Sequence, residues 1–124
     1  MIKIWKTDPE THDFPAAQDY LELVLTPATA KKAVAALRRA PTVHKHAKDL
    51  LRASALALLP KENLHVTSDL KKIRKGKRLS PVLLLRGDAY NGAPMTVADG
   101  YHRICASWYY DENALIACRI VSLP

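Results

Sequence analysis

The stretch richest in chemically useful residue types lies near the C-terminus, where residues 97–110 read VADGYHRICASWYY. A short apolar run ends at Asp99 and Gly100, and an apolar pattern with helical spacing resumes directly behind His102 and Arg103. The first turn of a helix has unpaired N–H groups and the positive end of the helix dipole, so it favours an anion. On spacing alone two interpretations stay open: a turn that binds phosphate, and a plain capped helix start whose polar side chains are solvated.

Each residue of this turn has an expected role in the first interpretation. Gly100 would let the backbone bend sharply or approach a ligand closely. Asp99 would accept hydrogen bonds from the first helical turn, or hold Mg²⁺ through water. Arg103 would hold phosphate oxygens through two parallel hydrogen bonds, and His102 would donate to them or relay a proton. The turn would then bind a phosphate group and could act on it.

The surrounding pattern supplies the elements that must position the turn. Helices are predicted after Pro15 and over 26–41, 42–59 and 67–76, the second capped by Thr26 and the fourth stopped by Gly76. Strands are predicted in SPVLLLRG, MTVAD and ALIACRIVSL, with a helix over about 100–110 between the last two. A chain of 124 residues has the length of one domain. The expected fold is therefore α+β, with a mainly helical part over 1–66 packed on a small mixed sheet from 67–124.

The net charge of +7 is concentrated in the middle of the chain. Residues 31–78 hold 14 lysine or arginine residues against three acidic ones, a local balance of +11. A field of that sign attracts phosphate-rich partners without selecting one of them. The exposed sides of the predicted helices over 27–58 and 68–78 are therefore a candidate nucleic-acid surface, with an ordinary solvated surface as the alternative. The candidate contacts are Lys45, Lys48, Arg52, Lys71, Lys72, Arg74 and Lys75.

Other features argue against several classes of protein. No stretch approaches the ~20 apolar residues of a membrane span, and no charged leader precedes a long apolar segment, so a cytoplasmic protein without a membrane partner is expected. Cys105 and Cys118 lie in apolar-patterned segments and are expected to be buried free thiols. His44 and His46 are two positions apart and would not share a helix face, so no metal site is predicted.

Residues 69–121 resemble the core of the ParB/sulfiredoxin superfamily. The resemblance lies in the order of a helix, the strand LSPVLLLRG, a loop, and MTVADGYHRICASWYYDENALIACRIV as strand, motif helix and final strand. In that superfamily a Gly-x-x-Arg segment at the strand-to-helix turn binds the phosphates of a nucleotide. The residues that match it are Gly100, Tyr101, His102 and Arg103, and Arg86 at the end of the first core strand is a further candidate for the same cleft.

The chain also departs from that superfamily. Sulfiredoxins have a catalytic cysteine immediately before the His-Arg pair, where this chain has Tyr101, so sulfinic-acid reductase activity is not expected. Chromosome-partitioning members usually have Arg-Arg where this chain has His102 and Arg103. A related group of kinases acting on free serine uses a similar Asp-Gly…Arg turn, which keeps phosphoryl transfer to a small molecule open.

The leading hypothesis is a nucleotide- or phosphate-binding protein of this type, with CTP or ATP and Mg²⁺ as the implied ligand. If it is an enzyme, it would hydrolyse a phosphoanhydride or transfer a phosphoryl group, with His102 and Asp99 as catalytic residues. The alternative is a non-enzymatic DNA- or RNA-binding module that uses the basic helices. A third interpretation is an accessory protein that binds a partner through its helical half, and self-association is left open.

Overall fold

A computed structural model describes residues 4–123, which form five helices, four strands and one 3₁₀ turn at Ala89–Asn91. The fold is α+β, as predicted. The helices are α1 (Asp13–Val24), α2 (Pro27–Arg39), α3 (Ala47–Ser54), α4 (Leu64–Arg74) and α5 (Tyr101–Tyr110). The strands are β1 (Val43–His46), β2 (Val82–Leu85), β3 (Thr96–Asp99) and β4 (Leu115–Val121).

The four strands described form one mixed sheet in the order β1-β4-β2-β3. Strand β2 is antiparallel to β3 and parallel to β4, while β1 is antiparallel to β4. The parallel pair is connected through β3 and α5, so α5 crosses over one face of the sheet. The turn from β3 into α5 is therefore fixed at its start by the sheet and at its end by a packed helix.

Both faces of the sheet are covered, which explains the continuous apolar run in β2. Leu83 and Leu85 pack with residues of α1 and α2, whereas Val82 and Leu84 pack with residues of α3 and α5. All four are buried. A strand buried on both faces needs apolar residues at every position, because successive side chains point to opposite faces.

Helix α4 lies outside the sheet and packs on α5. Its Leu70 and Ile73 share a buried cluster with Cys105 and Ala106. Asn63 caps α4 by accepting from the backbone N–H groups of the two residues that follow Leu64. The predicted start at Thr67 or Ser68 is therefore three or four residues too late, because Asn63 caps the helix before either of them.

The predicted helix over 42–59 is also wrong in its first and last parts. Val43 to His46 form β1, whose residues pair with β4 from Cys118 back to Leu115. The sheet edge supplies backbone partners for a segment that has poor helix formers. Helix α3 then covers only 47–54 and ends at Ala55, whose φ is +55°. The N-terminal half therefore contributes a strand to the sheet as well as helices.

Several local predictions are confirmed. The Thr26 side chain accepts a hydrogen bond from the backbone N–H of Thr29 at 3.2 Å and caps α2. Gly76 has a φ of +76° just beyond α4. Cys105 and Cys118 are buried free cysteines, and burial raises the pKa of the Cys118 thiol to about 11. Across residues 4–123, no helix is both long enough and apolar enough to span a bilayer.

Candidate functional site

A cleft of about 330 Å³ opens where the first turns of α1, α4 and α5 come together. This volume lies at the lower end of the range for small-molecule sites. The segment leading into β2 closes one side of it. Its lining residues are Glu10, His12, Asp13, Ala16, His65, Asp69, Lys72, Arg78, Leu79, Ser80, Asp99, Gly100, His102 and Arg103.

Gly100 makes the turn between β3 and α5, as the sequence predicts. Its φ is +110°, a conformation that side chains disfavour. A Cβ at this position would overlap the side chain of Val82 and lie 2.8 Å from Nη2 of Arg103. Gly100 is also the N-cap of α5, and because it has no side chain it cannot cap the N–H groups of the first turn. Those groups remain available at the cleft.

Four buried or half-buried residues form an acid–arginine network beneath the cleft: Asp13, Ser80, Asp99 and Arg103. Arg103 donates from Nη2 to Oδ2 of Asp99 at 2.7 Å, and its Nη1 lies 3.6 Å from Oδ1 of Asp13. Asp13 also accepts from the Ser80 hydroxyl and, at 3.0 Å, from the backbone N–H of Glu10. The network therefore ties the start of α1 to the start of α5.

This network gives Asp99 and Arg103 partners inside the protein. Asp99 does not cap α5; its carboxylate accepts from Arg103, four residues ahead on the helix face. Arg103 faces two carboxylates and its side chain is only 15% exposed, so its charge is already matched inside the protein. Burial raises the pKa of Asp99, and the nearby Asp13 adds to this while Arg103 opposes it.

Four further residues, His65, Lys72, Arg78 and His102, form what we call the rim of the cleft. The imidazole rings of His65 and His102 are 4.8 Å apart between centroids, and Lys72 and Arg78 are exposed. Burial lowers the pKa of His102, and His65 and Arg103 act in the same direction while Asp69 opposes them. The rim therefore brings nitrogen donors from α4, α5 and the segment before β2 to one opening.

On α4, the residues at positions 65, 69 and 72 follow helical spacing and face the cleft together. Nζ of Lys72 is 3.8 Å from Oδ1 of Asp69. This distance and the 51% exposure of the lysine side chain make a weak surface pair. Lys72 can therefore turn toward a stronger anion at small cost.

Two residues predicted for the phosphate site, Tyr101 and Arg86, do not line the cleft. Arg86 follows the far end of β2, because in the antiparallel pair Leu83 lies opposite Asp99 and Leu85 lies opposite Thr96. The prediction that Arg86 points into the same cleft is therefore wrong. The Tyr101 hydroxyl donates to the carbonyl of Ala57, and its ring packs with core residues. Tyr101 therefore anchors the start of α5 against the segment that follows α3.

The seven predicted nucleic-acid contacts are all exposed, in two groups. Lys45, Lys48 and Arg52 lie on β1 and α3, and Arg52 pairs with Asp49 at 3.1 Å. The second group, on or just after α4, is Lys71, Lys72, Arg74 and Lys75, of which Lys72 alone lines the cleft.

Sequence reasoning missed His65, Arg78 and Asp13 as parts of the site. The Asn63 cap would have placed His65 in the first turn of α4. Asp13 is separated from Asp99 by most of the chain, and its burial depends on how α1 docks on the sheet. In residues 4–123 no group of three or more His, Cys, Asp or Glu side chains could hold a metal ion.

No family model, curated protein or solved structure matches this chain.

Proposed function

We propose that the cleft binds the phosphate group of a nucleotide, CTP or ATP. The observation that carries this proposal is the position of the uncapped first turn of α5 inside the rim. Backbone N–H groups at a helix start, together with lysine, arginine and imidazole nitrogens, are the groups that bind phosphate oxygens in proteins. The resemblance of residues 69–121 to the ParB/sulfiredoxin core supports the same ligand.

The residue roles differ from those that the sequence suggested. Lys72 and Arg78 supply the charge, while His102 and the α5 backbone donate hydrogen bonds. Arg103 acts as a positioning residue, because its bonds to Asp99 and its approach to Asp13 hold the start of α5 against α1. A Mg²⁺ ion would enter with the nucleotide, since the Asp99 carboxylate is engaged by Arg103.

Phosphoryl hydrolysis or transfer is the reaction class that fits such a cleft. Catalysis of this kind depends mainly on positioning the phosphate and stabilising its charge. His102 is a group at the rim that could move a proton next to the phosphate, and Asp99 would act only through Arg103. Release of inorganic phosphate from a bound nucleotide, lost in His102→Gln, would establish turnover.

Calorimetric titration with CTP, ATP and ADP, with and without Mg²⁺, tests the binding proposal. The native protein is compared with the double variant Lys72→Gln/Arg78→Gln and with the matched control Lys71→Gln/Arg74→Gln. Both double variants remove two exposed positive charges from the same segment, but only the first removes cleft residues. We expect binding by the native protein and the control and at least a tenfold loss in the cleft variant. Absence of binding by the native protein at millimolar nucleotide would refute the proposal.

One observation favours nucleic-acid binding as a second candidate. Residues 71–78 read KKIRKGKR, with six cations in eight positions, and all six are exposed. Such a segment binds polyanions through their phosphates, with an affinity that falls steeply as salt rises. If oligonucleotides bind and both double variants weaken them equally, the segment acts as a basic surface independent of the cleft.

A further inference from the structure

Two imidazole rings, those of His65 and His102, meet at the opening of the cleft with their centroids 4.8 Å apart. Each is the second residue of its helix, α4 or α5, and the two rings meet at a tilt of 51°. A helix start disfavours a positive charge, and two imidazoles in contact disfavour being charged together. Burial and the neighbouring His65 lower the pKa of His102, which favours the neutral form of its ring in the free protein.

The other charged groups that line the cleft set the field on this pair. Three carboxylates favour a charged imidazole, while three cations oppose it. From α4 the groups are Asp69 and Lys72; from α5, Arg103; from the segment before β2, Arg78; from β3, Asp99; and at the start of α1, Asp13. Because Arg103 approaches both Asp13 and Asp99, the acids of the network are largely neutralised toward the rim.

His12 and Glu10 also line the cleft, at its α1 side. Nε2 of His12 lies 3.2 Å from one Glu10 carboxylate oxygen, and Lys6 pairs with the other. This carboxylate is therefore matched locally. Asp69 is the acid that favours the charged form of His102, and Lys72 offsets it at 3.8 Å from its carboxylate.

We propose that the His65–His102 pair takes up one proton when the cleft binds a doubly charged terminal phosphate, so that the site selects phosphate monoesters over diesters. This inference rests on the proposed function and adds His65 to the site. The proton comes from solvent and binds to a ring nitrogen of one imidazole, which then donates to a phosphate oxygen. The second imidazole stays neutral, and no bond of the ligand is broken.

Charge is the reason for the selectivity. An opposite charge within about 4–6 Å favours the protonated imidazole, and a dianion does so more strongly than a monoanion. A phosphate monoester loses its second proton near pH 6 and is mostly a dianion at neutral pH, whereas a diester carries a single charge. The uptake of a proton therefore strengthens binding of a terminal phosphate more than binding of a phosphate within a chain.

Sulfate is the most direct probe, because it keeps two charges throughout the neutral range, and any proton taken up must go to the protein. Titration of the native protein with sulfate at pH 7.5, in buffers with different heats of ionisation, counts the protons. We expect uptake approaching one proton and an affinity that rises up to tenfold for each unit of pH lowered toward 6.5. A 3′,5′-cyclic nucleotide, which is a diester, should show clearly smaller uptake.

His65→Gln is the test variant, and His44→Gln is its control, since His44 is exposed on β1 and does not line the cleft. We expect the first variant to lose most of the proton uptake and the second to keep it. NMR titration of the imidazole signals in the native protein gives an independent measure. With sulfate bound, one of the two rings should titrate at a higher pH than without it.

The two proposals fail in different ways. Sulfate or nucleotide binding without proton uptake, or with uptake unchanged in His65→Gln, overturns the role of the imidazole pair and leaves the cleft as an anion site. Failure of sulfate, phosphate and nucleotides to bind at all overturns both proposals.

Discussion

The acid–arginine network and the rim use similar residue types in opposite ways. In the network, the Arg103 side chain is 15% exposed and its guanidinium is shared by Asp99 and Asp13. In the rim, Lys72 and Arg78 are exposed, and the one carboxylate near Lys72 is at 3.8 Å. The same cleft therefore has a buried part, in which the charges pair with each other, and an open part, in which the positive charge exceeds the negative charge.

This difference separates stability from binding. A buried ion pair contributes little net stability, but removing one partner is costly because the other stays buried without compensation. An exposed cation can be removed with little effect on stability, whereas its loss weakens binding of an anion. Network variants should therefore change the free energy of unfolding, and rim variants should change the affinity for phosphate.

Arg103→Ala is expected to have the largest effect. It leaves Asp13, which is 3% exposed, and Asp99 without their common cation, so we expect a loss of about 3–5 kcal/mol in the free energy of unfolding. Urea unfolding measures it. In the triple variant Arg103→Ala/Asp13→Asn/Asp99→Asn the buried charges are gone, and more than half of the loss should be recovered. Equal stability of the single variant and the native protein would mean that the network is not what fixes the turn.

Gly100→Ala is expected to have the second largest effect on stability. The positive φ and the overlap with Val82 should lower the free energy of unfolding by about 3 kcal/mol. Gly76→Ala is the matched control. Its φ is also positive, at +76°, but a Cβ there meets nothing within 4 Å, so the loss should be nearer ~1 kcal/mol. Thermal unfolding of the two variants separates the cost of close packing from the cost of the backbone conformation. Equal losses would show that Val82 and Arg103 can move aside.

The positions of these elements were predictable to different degrees. The pattern of the last 45 residues predicted strand, strand, helix and strand, because β2 is apolar at every position and α5 has a clear helical stripe. Strand β1 was missed, since its residues VHKH show no alternation and become a strand only by pairing with β4. Local sequence cannot show such a pairing, because the partner lies about 70 residues away.

The candidate site was predictable at the turn and not around it. Asp99, Gly100, His102 and Arg103 all line the cleft, since a strand-to-helix turn places its residues together. The separate roles of these residues were not predictable, because they depend on contacts with Asp13 of α1 and His65 of α4. Arg86 was misplaced for the same reason, as the direction of β2 relative to β3 decides at which end it lies.

The next largest effect is expected for Arg78→Gln, which tests the role of the rim in binding. We expect the affinity for a nucleoside monophosphate to fall about tenfold, because one charge-assisted contact is lost, while the free energy of unfolding stays within about 0.5 kcal/mol of native. Arg74→Gln is the control, as Arg74 is exposed on α4 but does not line the cleft. A loss of stability in Arg78→Gln would mean that this residue belongs to the network. Equal losses of affinity in Arg78→Gln and Arg74→Gln would mean that the overall positive charge of the segment, and not a contact in the cleft, attracts the phosphate.

The smallest effect expected is the pH dependence of stability that His102 contributes. Burial and the neighbouring His65 lower its pKa below the ordinary value of 6.5, so between these two pKa values the unfolded chain binds more protons than the folded one. Stability from this residue is therefore complete above pH 6.5 and is lost as the pH falls toward the lower, folded value. Urea unfolding at pH 7.5, 6.5 and 5.5 should show this loss in the native protein and a shallower one in His102→Gln.

The pH dependence of stability that Asp99 contributes has the opposite sign to that of His102. Burial raises its pKa above the ordinary 3.8, so in the window above that value the folded protein binds more protons, and stability falls as the pH rises. Asp99→Asn should therefore alter the slope in this more acidic window and leave the slope near pH 6.5 unchanged. Sulfate in the cleft should reduce the loss of stability that the native protein shows near pH 6. If it does not, or if His102→Gln changes the pH dependence of stability only in the acidic window, the imidazole pair does not respond to charge in the cleft. The rim would then be an ordinary solvated surface above the network.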